Sequence, residues 1–253
     1  MTAPSLDQLE RTIRGAYRNV PPFHPGLCRE CTAPTTSTDY LRCRACDGYF
    51  AQPYPRAVGG SVALSWAPMD SQGYQDLRQY KEPGATPDQI GRLRTLFALS
   101  LTRHRECIVR TIPGRPFGVA HVPSTSGMRP GPHPIETQFL AMLSPEIPRT
   151  VPVFVGATET DRNARRQVNP DNWSVEPPAE GIDRVLVIDD SWVTGGHARS
   201  VASAFQRIGV AARIIVLDRV LDPTRNDHGR YLREHPAEPF DSRRCPLSGE
   251  IHD

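Results

Sequence analysis

One strand–turn–helix segment near the carboxyl end restricts the fold more than any other part of the chain. Four apolar residues, Val185–Ile188, predict a buried strand, and two acids, Asp189 and Asp190, follow it directly. A Thr194–Gly196 turn then leads into a helix predicted over Gly195–Ile208, with its apolar residues on one face. A short buried strand that turns directly into a helix is typical of parallel α/β sheets, so we expect that fold class.

The rest of the chain repeats the alternation of short apolar strands and amphipathic helices. Strands are predicted at Val62–Trp66, Gly118–Val122, Val151–Val155 and Ala212–Leu217, and helices at Leu6–Tyr17, Tyr74–Tyr80, Pro87–Arg103 and Pro134–Leu143. Residues 157–180 are polar and without clear periodicity, which indicates a functional or mobile connection. We therefore expect an α/β fold in which helices flank a mostly parallel sheet.

The turn after the two acids has the features of a phosphate-binding loop. Ligands of open α/β sheets bind at the carboxyl ends of strands, where the next helix offers unpaired N–H groups and a partial positive charge. Glycines allow the backbone to approach a phosphate closely, and threonine adds a hydroxyl donor. The loop residues predicted to bind phosphate are Val193, Thr194, Gly195, Gly196 and His197. An ordinary strand-to-helix turn with an acidic cap is the alternative interpretation.

The acidic pair before this loop suggests a sugar or metal contact. Asp189 and Asp190 can accept hydrogen bonds from ribose hydroxyls, or they can lie near a metal ion bound to a pyrophosphate. Trp192, between the acids and the glycines, is bulky for a loop. It is expected to pack either against the sugar or against the core.

Two pairs of cysteines near the amino end predict a metal site. Cys28 and Cys31 form one Cys-x-x-Cys pair, Cys43 and Cys46 form the other, and eleven residues separate the pairs. Four thiolates in this spacing favour tetrahedral zinc, and so small a loop would need the metal to fold. No ligand position is left open, so we expect a structural zinc in a small zinc-ribbon-like module before the α/β domain. Unligated cysteines, an iron–sulfur centre or a redox dithiol are the alternatives.

The charge of the chain gives little support to a nucleic-acid partner. The formal net charge is +2, and nearby acids partly balance the arginines around the cysteine pairs. For Arg29, Arg42 and Arg44, a solvated face therefore competes with a nucleic-acid contact. Lys81 is the only lysine among the 30 basic residues, which marks it as a candidate functional residue.

Composition divides the chain into four segments. These are an amino-terminal helix and linker (1–25), the four-cysteine module (26–56), the α/β domain (57–221) and a polar tail (222–253). The tail is expected to be loosely ordered. Cys107 and Cys245 are isolated along the sequence, and Cys107 is expected to lie in the core.

The hydropathy of the chain bears on its location. No apolar run approaches the ~20 residues of a membrane span, and the amino end lacks the apolar core of a signal peptide. We therefore expect a cytoplasmic protein with no membrane partner, in which disulfides are disfavoured.

The segment VLVIDDSWVTGGH (Val185–His197) resembles the signature of type I phosphoribosyltransferases, enzymes that bind phosphoribosyl pyrophosphate (PRPP). A four-cysteine module followed by such a domain is similar to the ComF family, which is associated with bacterial competence. The resemblance covers most of the chain in order. It implies a type I phosphoribosyltransferase-like fold with zinc, Mg²⁺ and PRPP. It also implies that Asp189 and Asp190 are the catalytic acids that hold the ribose, while Val193–His197 binds its 5-phosphate.

Further PRPP contacts follow from the same resemblance. The residues expected outside the motif are Lys81, Ser124, Thr125, Ser126 and Arg166. The lysine would lie near the pyrophosphate, where a point cation suits clustered charge. The three hydroxyls would form a pyrophosphate loop. Arg166, with Arg162 and Arg165, would close over the pyrophosphate or be solvated.

The chain departs from the family at two places. His197 stands where the family usually has Thr or Ser, and its charge would vary with pH. Met128–Pro134 replaces the family's Arg-rich Gly-Phe-Asn-Gln stretch, a region that would shape the pocket of the second substrate. The PRPP site is therefore better supported than any particular second substrate.

Three functions remain open at this point. The first is transfer of phosphoribosyl from PRPP to a nitrogen nucleophile with release of pyrophosphate, in connection with DNA uptake. The second is a non-catalytic PRPP or nucleotide sensor, coupled to a nucleic-acid or protein partner through the zinc module. The third is binding of a different phosphorylated ligand.

Overall fold

A four-stranded parallel sheet forms the centre of the protein. The structure, a computed structural model, describes residues 4–110, 118–124, 133–142, 153–155 and 166–252. Its strands are β1 (Ser61–Pro68), β2 (Gly118–His121), β3 (Val153–Val155), β4 (Trp173–Val175), β5 (Arg184–Trp192) and β6 (Ala211–Leu221). Strands β1, β6, β5 and β2 lie side by side in that order and all run parallel, while β3 and β4 form a separate antiparallel pair.

Helices flank the sheet, as the sequence predicts. They are α1 (Leu6–Ile13), α2 (Arg44–Phe50), α3 (Gln72–Gln79), α4 (Pro87–Arg110), α5 (Gly196–Arg207) and α6 (Asn226–Glu234). The side chains of Ser5 and Ser71 accept hydrogen bonds from the first turns of α1 and α3, which explains where these helices begin. None of the described helices is both long enough and apolar enough to cross a bilayer.

Most of the predicted elements are confirmed, with three differences. The helix predicted over Pro134–Leu143 is a π-helical turn at Ile135–Phe139 followed by a 3₁₀ turn at Leu140–Met142. The strand predicted near Val155 pairs with β4, outside the main sheet. Elements α2, β4 and α6 were not predicted, because each is short and lacks a regular apolar spacing.

The sheet divides the core into two layers. Along β5, Val185 and Val187 point to one layer, while Leu186 and Ile188 point to the other. Helix α5 and the four paired cysteines pack on the first layer, and α1, α3 and α4 pack on the second. Because both faces are covered, the strand is apolar without alternation, which is the pattern seen in the sequence.

The prediction of a loosely ordered tail after Asp222 is wrong. Tyr231, Phe240 and Cys245 are buried, at 7%, 3% and 1% exposure. The tail also returns to the start of the chain, where the Phe240 N–H donates to the carbonyl of Tyr17 at 3.1 Å. Apolar residues spaced too widely to form a periodic pattern nevertheless anchor the segment.

The expectation that Cys107 is an isolated core residue is also wrong. Cys107 is half-buried near the end of α4, and Cys245 of the tail lies beside it. The two cysteines are far apart in sequence, so only the folded tail brings them together.

Candidate functional site

A pocket of about 260 Å³ opens at the carboxyl end of β5. Most of the residues predicted to bind PRPP line it: Lys81, Ser124, Arg166, Asp189, Asp190, Val193, Thr194, Gly195, Gly196 and His197. These residues come from four separate stretches of the sequence, so the pocket forms only when the protein folds. Thr125, Ser126, Arg162 and Arg165 lie outside the described residues.

Two glycines give the loop between β5 and α5 its shape. Gly195 has a φ of +77°, in the left-handed region that favours glycine, and it is the residue that caps α5. A Cβ atom on Gly196 would lie 2.2 Å from the carbonyl oxygen of Arg166. Gly195, Gly196 and His197 line the pocket, so the first turn of α5 borders it, and the N–H groups of a helix start suit an anion.

Replacing Gly196 by alanine is expected to displace this loop. The new methyl would collide with backbone, which cannot swing away as a side chain can. We expect a loss of about 1–3 kcal/mol in the free energy of unfolding, measured in urea. Gly91→Ala is the matched control, because nothing lies within 4 Å of a Cβ at that helical position. Equal unfolding free energies for the two variants would contradict the tight contact.

The two acids of the pocket differ in their electrostatic surroundings. Asp190 is 4% exposed, forms an ion pair with Lys81, and accepts a 3.0 Å hydrogen bond from the Tyr80 hydroxyl. Burial opposes its ionisation, but Lys81 and Tyr80 outweigh burial and lower the pKa of Asp190 to about 2. Burial, together with the charge of Asp190, raises the pKa of Asp189 well above its usual value. The pair therefore keeps one firmly ionised carboxylate beside one that holds a proton more readily.

Lys81 thus lies directly at the acids. It follows α3, whose last residue is Gln79, and its ammonium reaches Asp190 from the second core layer. The sequence marks Lys81 as a candidate functional residue because it is the only lysine, and its position in the pocket agrees with that prediction. The ion pair itself could not be predicted, since it joins residues from distant parts of the chain.

A buried arginine on the neighbouring strand β6 donates hydrogen bonds to the loop. Its role was not predicted from the sequence. Arg219 on β6 is 2% exposed and donates hydrogen bonds to the carbonyls of Trp192 and Val193, the latter at 2.8 Å. Trp192 is 1% exposed, so it packs into the core and not against the pocket. The available signal was the Asp218–Arg219 pair, which with Arg213 places three charges inside an otherwise apolar strand.

The remaining loop residues contact Arg166 and Trp173, the two ends of the polar segment that leads into β4. The Thr194 hydroxyl donates to the carbonyl of Arg166 at 3.0 Å. The ring of His197 packs against Trp173, with ring centroids 5.5 Å apart. The long polar stretch noted in the sequence therefore borders the pocket with its carboxyl-terminal part.

No match was found for this chain. Comparisons with protein-family models, with curated proteins and with solved structures all gave none. The interpretation of the pocket therefore depends on the chemistry and placement of its residues.

The four paired cysteines come together as predicted. Cys28, Cys31, Cys43 and Cys46 are all buried, and their sulfur atoms lie within 4.8 Å of one another. The first pair sits on a tight turn in which the Cys28 N–H donates to the carbonyl of Ala33, and the Thr32 N–H donates back to that of Cys28. Four thiolates converging in this way can hold a tetrahedral metal such as zinc.

A buried arginine connects the cysteine cluster to helix α5. Arg199 is 3% exposed and donates to the sulfur of Cys46 at 2.7 Å. Its guanidinium lies over the rings of Tyr49 and Trp192, at 4.5 and 4.8 Å from their centroids. The cluster, α5 and the loop before α5 therefore form one contiguous packing unit.

Two of the three arginines around the cysteine pairs already have intramolecular contacts. Arg29 lies over the ring of Phe23 at 5.0 Å, and Arg42 lies over Phe50 at 3.8 Å and 3.7 Å from Glu30. A second cavity of about 800 Å³ adjoins the pocket and shares Arg166 and Thr194 with it. The basic and aromatic residues that line it are Arg44, Arg166, Arg199, Arg225, Tyr49 and Tyr54.

Proposed function

We propose that this chain binds PRPP with Mg²⁺ and transfers its phosphoribosyl group to a nitrogen nucleophile. The observation that carries the proposal is the 260 Å³ pocket, in which paired acids, a glycine loop at a helix start and two cations converge. In this proposal the α/β domain is of the type I phosphoribosyltransferase kind, the zinc is structural, and the protein is a cytoplasmic member of the ComF family. A role in DNA uptake is part of the same proposal.

Each part of PRPP has a chemically matched partner in the pocket. The 5-phosphate would bind the N–H groups at the start of α5, within the loop Val193–His197. The ribose hydroxyls would bind Asp189 and Asp190, one of which accepts hydrogen bonds while the other can also donate. The pyrophosphate would lie toward Lys81 and Arg166, where cations offset its charge.

The carboxylates also fit a magnesium ion. Mg²⁺ prefers oxygen ligands and is usually held by one or two carboxylates together with substrate phosphates. Asp189 and Asp190 are the residues that would hold it. When bound, the ion would supply positive charge to the leaving pyrophosphate.

The reaction would be a displacement at the anomeric carbon of the ribose. The nitrogen lone pair forms a bond to C1, the bond from C1 to the pyrophosphate oxygen breaks, and its electron pair leaves with pyrophosphate. The nitrogen then loses its proton to solvent. Positive charge would develop on the sugar ring, and Asp189 and Asp190 would stabilise it electrostatically. Positioning accounts for most of the rate, so no nucleophilic side chain is required.

Pyrophosphate release is the direct test. The purified full-length protein is incubated with PRPP, Mg²⁺ and a panel of purine, pyrimidine and amine acceptors, and pyrophosphate is measured. Acceptor-dependent release is expected, together with calorimetric binding of PRPP in the absence of acceptor. Binding without release from any acceptor would favour a sensor, and the absence of both would refute the proposal.

A sensor is the second candidate, and the Arg199 contact favours it. Because Arg199 joins the cysteine cluster to the helix that begins in the loop, ligand binding at the loop can affect the cluster. The 800 Å³ cavity beside them offers an anionic partner basic and aromatic contacts. A gel shift with single-stranded DNA, with and without PRPP, tests this candidate. No shift at low salt would remove the nucleic-acid version of it.

A further inference from the structure

Four potential metal ligands meet where the tail packs on α4. His104 and Cys107 lie one turn apart on that helix, and Cys245 and His252 come from the tail. One ligand atom from each lies within 4.8 Å of the other three. The Cys107 sulfur is 3.6 Å from Nδ1 of His252, and the two imidazole rings are 5.1 Å apart.

The backbone turn at Cys245 repeats the turn at Cys28. The Cys245 N–H donates to the carbonyl five residues later, that of Glu250, and Gly249 donates back to the carbonyl of Cys245, both at 2.8 Å. At Cys28 the same two bonds join Ala33 and Thr32 to the cysteine, at 2.8 and 2.9 Å.

Further details of the two turns agree. Gly249 and Thr32 occupy the same place and both have positive φ, 75° and 57°. In each turn the residue before the cysteine forms an isolated bridge with the residue six positions after the cysteine. Ser248 stands where the first turn has its second cysteine, Cys31. The tail therefore has the backbone of a metal-binding cysteine turn but lacks one of its thiols, and the residues of α4 can replace that thiol.

His104 is oriented as a metal ligand. Its Nε2 is 2.7 Å from the carbonyl of Ser242, so Nε2 carries the proton and Nδ1 keeps a lone pair. Nδ1 is buried, makes no hydrogen bond of normal geometry among the described residues, and faces the Cys245 thiol. A backbone carbonyl that holds the outer nitrogen of a histidine is the usual support for a metal-bound imidazole.

The surroundings of the Cys245 sulfur also suit a metal ligand. This sulfur is buried, at 1% exposure for the residue, and accepts hydrogen bonds from the backbone N–H groups of Ser248 and Leu247. Such N–H donors to sulfur are what the turn geometry provides, and they support a charge on sulfur next to a cation.

We propose that His104, Cys107, Cys245 and His252 form a second zinc site of the Cys₂His₂ type. Two nitrogen and two sulfur ligands suit tetrahedral zinc. Because the four side chains fill all four coordination positions, none is left open for a substrate. The site is structural: it fastens the last residues of the chain to the end of α4, on the core layer opposite the four-cysteine cluster. It does not depend on the function proposed for the pocket.

Metal content tests the proposal directly. The full-length protein, purified without added chelator, is expected to contain two zinc ions per chain by mass-spectrometric elemental analysis. His252→Ala and Cys245→Ser should each lower this value from two to one. Arg105→Ala is the matched control, since this exposed side chain lies on α4 between the two helix ligands, and it should retain both ions. His252→Cys should also retain two, because thiolate replaces imidazole.

Cobalt substitution and alkylation separate the two sites. Cobalt-loaded wild type should show the absorption of both an all-sulfur and a mixed nitrogen–sulfur site, whereas cobalt-loaded Cys245→Ser should keep only that of the all-sulfur site. Cys107 and Cys245 of the zinc-loaded protein should resist iodoacetamide until a chelator is added. One zinc per chain in wild type and His252→Ala alike would overturn the proposal, as would a Cys107–Cys245 disulfide peptide from protein purified under reducing conditions.

Discussion

The double variant Asp189→Asn/Asp190→Asn is expected to bind PRPP–Mg²⁺ at least ~100-fold more weakly than the wild type. Each carboxylate would lose a charge-assisted hydrogen bond to the ribose, worth about 1.5–3 kcal/mol, and Mg²⁺ would lose its protein ligands. A combined loss of about 3 kcal/mol corresponds to that factor in the dissociation constant. Isothermal titration calorimetry at constant Mg²⁺ measures it.

The same chemical change at the other end of β5 provides the control. Asp183 is exposed and precedes the strand, so Asp183→Asn should bind PRPP as the wild type does. The urea midpoints of both variants show whether the fold is retained, since removal of Asp190 leaves Lys81 and Tyr80 without their carboxylate. Equal affinity in the wild type and a folded double variant would disprove the ribose role of the acids.

Loss of metal from the four-cysteine cluster is expected to unfold much of the protein. The variant Cys46→Ser should lose the zinc of this cluster and its cooperative thermal transition. Structural zinc supplies about 10–16 kcal/mol in small zinc-dependent folds, whereas a whole domain is stable by only about 5–15 kcal/mol. The cluster lies in the same core layer as α5, so its loss also exposes apolar residues of the domain. Arg199 would in addition be buried without the thiolate that it contacts.

Calorimetry and elemental analysis of that variant are compared with those of Thr36→Ala. Thr36 is exposed in the loop between the two cysteine pairs, and its side chain is not a ligand. The control should keep its transition temperature and its zinc. A strong chelator should reproduce the Cys46→Ser result in the wild type, and added zinc should reverse it. An unchanged transition in zinc-depleted protein would show that the cluster does not support the fold.

Local sequence patterns were sufficient for the strand–loop–helix segment and for the first metal cluster. Asp189, Asp190 and the loop are contiguous, so their spacing in the sequence already places them at one strand end. The Cys-x-x-Cys pairs are likewise short-range features. Such features depend on a few backbone dihedral angles and little on the tertiary fold.

Contacts between distant segments could not be predicted in the same way. Arg219 is in register with Trp192 only because β6 pairs with β5. Cys245 reaches Cys107 only because the tail folds back over α4. In the sequence, Arg219 resembles a surface residue, and Cys245, the one cysteine of a polar tail, resembles an unpaired thiol. Their roles depend on which neighbours the fold supplies.

The two ends of the chain meet beside β1, the outermost strand of the sheet. The Trp66 N–H donates to the carbonyl of Arg18, and Asn19 donates to the carbonyl of Glu238. Residues 17–19 therefore lie between β1 and residues 238–240 and cover the middle of that edge at Trp66. A fragment limited to residues 57–221 would leave the edge free to pair with a second molecule. Self-association of such a fragment would reflect the missing chain ends and would say nothing about the pocket.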